Sequence, residues 1–261
     1  MSRRPADAER PEGAPPRLVV GVQPVREALR AHGAAVQVWL ASSTSPRLAA
    51  LERWARDLGA TARRADAREL DRVARGTEHQ GVVAWAPDLR LATLDAVLDA
   101  PAALALALDG VQDPQNFGAA VRCAVGIAGA AIVWPESSSA PLGPATFRAS
   151  AGAIEHAALC RVRSLAHAAR EAADRGHTVV ALVPSAPRLL LEVDLTGPAL
   201  LLLGGEHEGL HPAVRRAATV EASLVATQGV QSLNVSVAAA LALYEAIRQR
   251  RSAPAPAPPA G

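Results

Sequence analysis

The sequence predicts an α/β protein in two parts, the larger a mainly parallel sheet with helices on both faces. Two observations carry this. Beyond residue 101, short runs of small and branched apolar residues alternate with helical stretches, the strand, helix, strand order of a parallel sheet. Residues 102–108 and 199–203 are apolar at every position, as strands covered on both faces are. With 261 residues the chain is long for one domain and natural for two. Half of it is hydrophobic but only 3% is aromatic, so the cores are to be built from Ala, Val and Leu.

In chain order, residues 18–20 read as a strand, followed by a helix that starts near Pro24 and stops at Gly33. Residues 36–40 alternate like a half-buried strand. A Ser/Thr run before Pro46 starts a helix that reaches Leu58 and ends at Gly59. Residues 60–63 form a strand, 66–74 a helix and 81–86 a strand before Pro87, which completes a small α/β domain over residues 17–87. Residues 88–101 read as a linker with a short helix after Thr93. A second domain, residues 102–251, holds strands at 102–108, 131–134, 178–183, 199–203 and 220–224, with helices at 116–127, 164–175, 212–217 and 234–250. The ends, residues 1–16 and 252–261, are rich in proline and read as disordered tails.

Composition narrows the function. The apolar runs fall far short of the roughly 20 residues a spanning helix needs, and the charged start lacks the apolar core of a signal peptide, so a cytoplasmic protein is expected. Cys123 and Cys160 are too few for a disulfide framework and lack metal-type spacing. A formal charge of +2 argues neither for nor against nucleic acid, but the chain has no lysine, so every basic side chain is Arg, whose planar fork grips phosphate bidentately. The turn Glu78-His79-Gln80-Gly81 places polar groups directly before a strand, as a structural turn or as a contact for a ligand or RNA.

Open parallel sheets bind ligands at the carboxyl ends of their strands, here the loops after Leu108, Val183, Leu203 and Leu224. The first loop, residues 109–118, opens a helix that carries Asn116 and Arg122 in its first two turns. It has no G-x-G-x-x-G, and without lysine a P-loop is excluded. In the third loop, His207-Glu208-Gly209-Leu210-His211 spells H-E-x-x-H, the zinc metallopeptidase string. That chemistry needs a helix, which Gly204, Gly205, Gly209 and Pro212 oppose, so no metal is expected; the paired glycines suit a strand end where backbone approaches a flat ligand. Near the C-terminus, Gln231-Ser232-Leu233-Asn234-Val235-Ser236 is polar but uncharged and runs into an apolar series. Burying such groups unpaired costs roughly 1–3 kcal/mol each, so they belong either to a site or to the first turns of the last helix, with Ser232 as its cap.

Three of these segments, Asn116-x-Gly118-x-x-x-Arg122, Gly204-x-Glu206-x-x-Gly209-Leu210 and Ser232-Leu233-Asn234-Val235-Ser236, resemble in order and separation the signature motifs of the SpoU (TrmH-like) RNA ribose 2'-O-methyltransferases. The N-terminal part, with Gly21 and His79-Gln80-Gly81, is similar to the small substrate-binding domain of the large-subunit rRNA guanosine methyltransferases, as is Asp109-Gly110-Val111-x-Asp113-Pro114. The resemblance implies a SPOUT fold with a deep C-terminal trefoil knot, a homodimer, and S-adenosylmethionine as methyl donor. By the same resemblance Gly204, Leu224 and Leu233 contact the cofactor, and Arg122, Asn116, Glu206, Ser232 and Asn234 are catalytic. The sequence departs from the pattern at Gln228, where the family usually has Gly, with the glycine moved to Gly229, and at Ala226.

Methyl transfer to a ribose hydroxyl needs its proton removed while oxygen, carbon and sulfur are held in line. Arg122, always protonated, suits gripping the phosphate beside the target so that a phosphate oxygen helps take the proton. Ser232 and Asn234 would bond the ribose or order the loop, and Glu206 would fix Asn234 or Arg122. By the resemblance of the N-terminal part, the expected substrate is a guanosine of 23S rRNA. The alternatives are a tRNA site, a non-catalytic RNA-binding protein, and the zinc metallopeptidase.

Overall fold

A computed structural model describes residues 11, 13–42, 45–206, 208–224 and 232–252. The departures at Ala226, Gln228 and Gly229, together with Gln231, His207 and most of both expected tails, lie outside the described residues. Contacts divide the chain into two compact units, one of residues 1–90 with Phe117–Arg122 and Ala140–His156, the other of Leu91–Asn116, Cys123–Ser139 and the remainder.

The first unit has a four-stranded sheet in the order β1-β4-β2-β3, from β1 (Arg17–Val20), β2 (Gln37–Ala41), β3 (Thr61–Ala65) and β4 (Val82–Ala86). Only β2 and β3 run parallel; β4 is antiparallel to both of its neighbours. The two-residue period divides β2 and β4 between two cores. Val38, Leu40, Val82 and Ala84 pack with α1 (Val22–His32) and α2 (Pro46–Asp57), while Trp39, Val83 and Trp85 pack with α3 (Ala67–Ala74). The two indoles meet edge to face, with ring centroids 4.6 Å apart. Ala14, read from sequence as part of the tail, is buried in this second core.

Buried charges also tie this unit together. Arg17 grips Glu155 through two nitrogens at 2.6 and 2.8 Å, and His32 reaches the same carboxylate at 3.0 Å. Glu27 accepts hydrogen bonds from Gln23 at 2.8 Å and Arg30 at 2.7 Å, with His156 3.0 Å away. Gly152, at φ +81°, lies so close that a Cβ would stand 2.7 Å from the Glu27 Cβ. The motif glycine Gly118 has a similar role: a Cβ there would meet the Thr146 carbonyl oxygen at 2.6 Å, where α6 (Pro144–Ala149) passes.

The second unit is a six-stranded parallel sheet in the order β10-β8-β9-β5-β6-β7. Its strands are β5 (Leu104–Asp109), β6 (Ala131–Pro135), β7 (Leu159–Val162), β8 (Thr178–Leu182), β9 (Ala199–Gly204) and β10 (Val220–Ala222). The expected parallel sheet is present with one more strand than the sequence suggested, β7 at the edge. Ala105, Ala107, Leu200 and Leu202 face a core with α4 (Leu94–Leu98), α7 (Leu165–Asp174) and α8 (Pro212–Arg215). The stretch read as a linker belongs here: Val97 and Leu98 are part of that core, and Ala92 donates to the Leu159 carbonyl at 2.7 Å. The helix expected over residues 116–127 is α5 (Pro114–Cys123), which continues as a π turn, Ala124–Ala128.

The last helix, α9 (Val235–Ser252), packs against β9 and that π turn. Its far end is fixed by Arg250, whose guanidinium donates to the carbonyls of Leu195 at 3.0 Å, Ala102 at 2.7 Å, Ala103 at 3.3 Å and Gly197 at 2.6 Å. Gln249 adds bonds to Val193 and Leu195 on the same loop. So the near end of α9, where Asn234 sits, starts from a fixed frame.

Candidate active site

Chain order reverses between β5 and β9, and the loops leaving the carboxyl ends of β5, β8, β9 and β10 converge there. Asn234 precedes α9 as its N-cap: its carbonyl accepts from Ala238 at 2.9 Å, and its Oδ1 accepts from the Ser236 amide at 2.9 Å and the Ser236 hydroxyl at 2.6 Å. The cap is therefore Asn234 and not Ser232. Capping fixes the amide plane, so Nδ2 must point away from the helix. It donates to Asn116 Oδ1 at 2.9 Å and to Glu206 Oε1 at 3.0 Å. Asn116 Nδ2 also donates to Glu206 Oε1. Three side chains from three separate segments thus close a ring, with one carboxylate oxygen holding two amides.

The loop that carries Glu206 folds back on itself. A Cβ on Gly204 would stand 2.0 Å from the Gly209 carbonyl carbon, and one on Gly205 would stand 2.4 Å from the Gly110 carbonyl oxygen. A side chain at either glycine would meet the protein's own backbone, so the fold-back itself requires the pair, and both glycines also line a cavity. Asp109 secures the loop by accepting the His211 amide at 2.7 Å, and the His211 ring accepts from Ala213 at 3.2 Å to cap α8. The described part of the H-E-x-x-H string, residues 208–211, is turn and extended chain ahead of α8, not helix. Among the described residues no cluster of His, Cys, Asp and Glu is arranged to hold a metal ion.

A cavity of about 510 Å³ opens beside the ring, within the size range of small-molecule sites. Leu182, Val183, Leu203, Leu210, Leu224 and Leu233 give it apolar walls, and Gly204, Ser232 and Asn234 also line it. A nucleoside with a short cationic tail fits this lining: apolar walls for a flat base, and the Glu206 carboxylate at the edge. The structure therefore brings Gly204, Leu224, Leu233, Ser232, Asn234, Asn116 and Glu206 together. Arg122 is not part of the hydrogen-bonded ring; it clusters with the first unit, is exposed, and has no hydrogen-bond or ion-pair partner among the described residues. A second cavity, about 560 Å³, shares Gly205, Glu206, Glu208 and Gly209 with the first. The loops after Leu108 and Leu203, both marked in the sequence as ligand-binding, supply much of its lining, while Ser137, Ser138 and Ser164, which also line it, were not singled out.

The turn before β4 has a structural explanation. Gly21 offers no side chain to cap α1, and Gln80 Oε1 accepts the orphan Val22 amide instead, at 3.3 Å. His79 Nδ1 accepts from Gly81 at 3.0 Å, and both Gln80 and Gly81 have positive φ.

Fold and site together define an α/β enzyme whose ligands enter at the carboxyl edge of a parallel sheet. The chain belongs to the SpoU rRNA methylase family, whose model matches residues 103–244, and residues 18–91 match the RNA 2'-O ribose methyltransferase substrate-binding domain. It is 37% identical to the 23S rRNA (guanosine-2'-O-)-methyltransferase RlmB of Pseudomonas syringae pv. tomato, over 89% of this chain and 95% of that protein. An uncharacterized tRNA/rRNA methyltransferase of Mycolicibacterium vanbaalenii is 35% identical over 90% of this chain and 77% of its own length. Among solved structures, the SpoU methyltransferase AviRb of Streptomyces viridochromogenes in complex with AdoMet superposes with a TM-score of 0.72 at 25% identity, covering 90% of this chain and 91% of that one.

Proposed function

We propose that the protein transfers a methyl group from S-adenosylmethionine to the ribose 2'-hydroxyl of a guanosine in 23S rRNA, in the cytoplasm. The observation that carries this reading is the Asn116–Glu206–Asn234 ring at the mouth of an apolar cavity. The relatives named for rRNA guanosine methylation support the substrate. Bound in that cavity, S-adenosylmethionine supplies a methyl on a sulfonium, which departs as a neutral thioether. Leu224 and Leu233 pack against the donor and exclude water, which favours a step in which charge disappears. Glu206 holds both asparagine amides in fixed orientation, and Asn234 and Ser232 orient the ribose. Arg122 grips the phosphate beside the target, leaving a phosphate oxygen to take the hydroxyl proton as the new O–C bond forms.

The active form in this reading is a homodimer, with the C-terminal segment threaded into a trefoil knot. Val237, Leu241 and Tyr244, spaced along one face of α9 and 47%, 46% and 64% exposed, offer an apolar stripe for the second copy. Residues 17–87 act as the RNA-binding domain. The test is to incubate the protein and labelled S-adenosylmethionine with unmodified 23S rRNA and tRNA transcripts and to map the label. Methylation of one 23S guanosine ribose is expected; label on tRNA alone, or none, overturns the assignment.

A further inference from the structure

We propose that the second cavity receives the target nucleobase and that Glu208 selects guanine there by accepting its N1–H and 2-amino hydrogens. This rests on the methyltransferase reading and deepens it. The cavity shares the Gly205–Glu206 and Glu208–Gly209 wall with the donor cavity and includes Asn116, so a nucleoside seated in it has its sugar beside the ring of amides. A volume of about 560 Å³ suits a purine nucleoside with some solvent.

The lining chemistry selects the occupant. Asp109, Asp113, Glu206 and Glu208 bring carboxylates, Ser137 and Ser138 bring hydroxyls, and among the described residues no Arg lines it. A phosphate is therefore disfavoured, and a neutral group rich in hydrogen-bond donors is favoured. Three of the carboxylates are already engaged. Asp109 accepts from His211 at 2.7 Å, Asp113 from the Gln115 amide at 3.1 Å, and Glu206 from both asparagines. Glu208 is exposed and has no hydrogen-bond or ion-pair partner among the described residues. Its two oxygens match two adjacent donors, and guanine's Watson–Crick edge has them in N1–H and the 2-amino group. Adenine and cytosine present one amino group beside a bare ring nitrogen, and uracil one N–H between two carbonyls. An unpaired nucleotide displays this edge to a protein, as sequence-specific RNA readers require.

The test compares two synthetic RNA hairpins of one sequence, with guanosine or inosine at the nucleotide the wild-type protein methylates; inosine keeps N1–H and lacks the 2-amino group. At saturating S-adenosylmethionine, wild-type protein is expected to favour guanosine about 10- to 100-fold in kcat/KM, the worth of one hydrogen bond to a charged acceptor. Glu208→Gln is expected to reduce that ratio to within about threefold, with an unchanged melting curve showing that it is folded. Equal use of both RNAs by the wild type, a measurement that needs no variant, overturns the proposal, as does full discrimination retained by Glu208→Gln. In both cases methyl transfer itself stands. A wild-type protein that methylates neither hairpin nor any transcript overturns the parent reading, and this inference with it.

Discussion

The two units use buried and half-buried polar groups in opposite ways. In the first, Arg17, Glu155, Glu27 and Glu52 are taken out of water, and each is paired with an opposite charge. Little capacity is left for a ligand, so this network is architecture. In the second, Glu206 and Asn234 are exposed and Asn116 is half-buried; uncharged but for one carboxylate, they hold one another at the edge of two cavities. A polar cluster that is ordered yet still open to solvent is arranged for chemistry. Breaking the first should cost stability, and breaking the second should cost rate.

The largest expected effect is Glu155→Ala, which leaves the 7%-exposed Arg17 guanidinium without its partner and should destabilise the protein by about 3–5 kcal/mol in chemical denaturation. A loss under about 1 kcal/mol would show that the pair is incidental. Glu206→Gln should do the reverse, lowering kcat about 100-fold while the melting temperature stays near wild type, since it removes a preorganised charge at an exposed position. Arg250→Met should cost about 2 kcal/mol by stranding carbonyls at the end of α9, intermediate between the two because Arg250 is structural but lies in the unit that holds the ring.

Acid should separate the units by a smaller margin. Burial pushes the His177 imidazole below its ordinary pKa, against the opposing bond to the Leu98 carbonyl. Its contribution is complete above about pH 6.5 and is lost as pH falls toward the lowered value. For Glu27, burial raises the pKa, but the bonds from His156 and Arg30 outweigh it and hold the carboxyl below its usual range. Its contribution is complete above about pH 4.3 and is lost below that. Stability measured from pH 7 downward should therefore fall first through His177, a step that His177→Gln removes, and later through Glu27. A single step near pH 4 in the wild type would remove His177 from the account.

Much of this was legible in the sequence. The all-apolar runs at 102–108 and 199–203 read as strands covered on both faces, and they proved to be β5 and β9, side by side at the centre of the sheet. Pro46, Gly33 and Asp66 marked helix ends because each has a backbone reason to stand there. Residues 136–163 were not legible: α6, the turn Ala153–His156 and β7 are short, and β7 has only four residues, two of them polar or partly exposed, at a sheet edge. The glycine pair Gly204-Gly205 was read correctly as a site of close approach, but its protein neighbours were not legible, because a fold-back onto Gly209 and Gly110 is a tertiary fact with no local signature. The choice between Ser232 and Asn234 as cap was open in the sequence because both are good capping residues; the bonds of Ser236 to Asn234 Oδ1 and of Ala238 to the Asn234 carbonyl decide it.

In the proposed function Asn116, Glu206 and Asn234 act as one unit. A double-mutant cycle on methyl transfer to 23S rRNA tests it most directly. Asn116→Ala and Asn234→Ala should each lower kcat/KM, and the double variant should be little worse than the poorer single, because either change opens the same ring. Losses that simply add would contradict the account, since they would mean the two amides work independently.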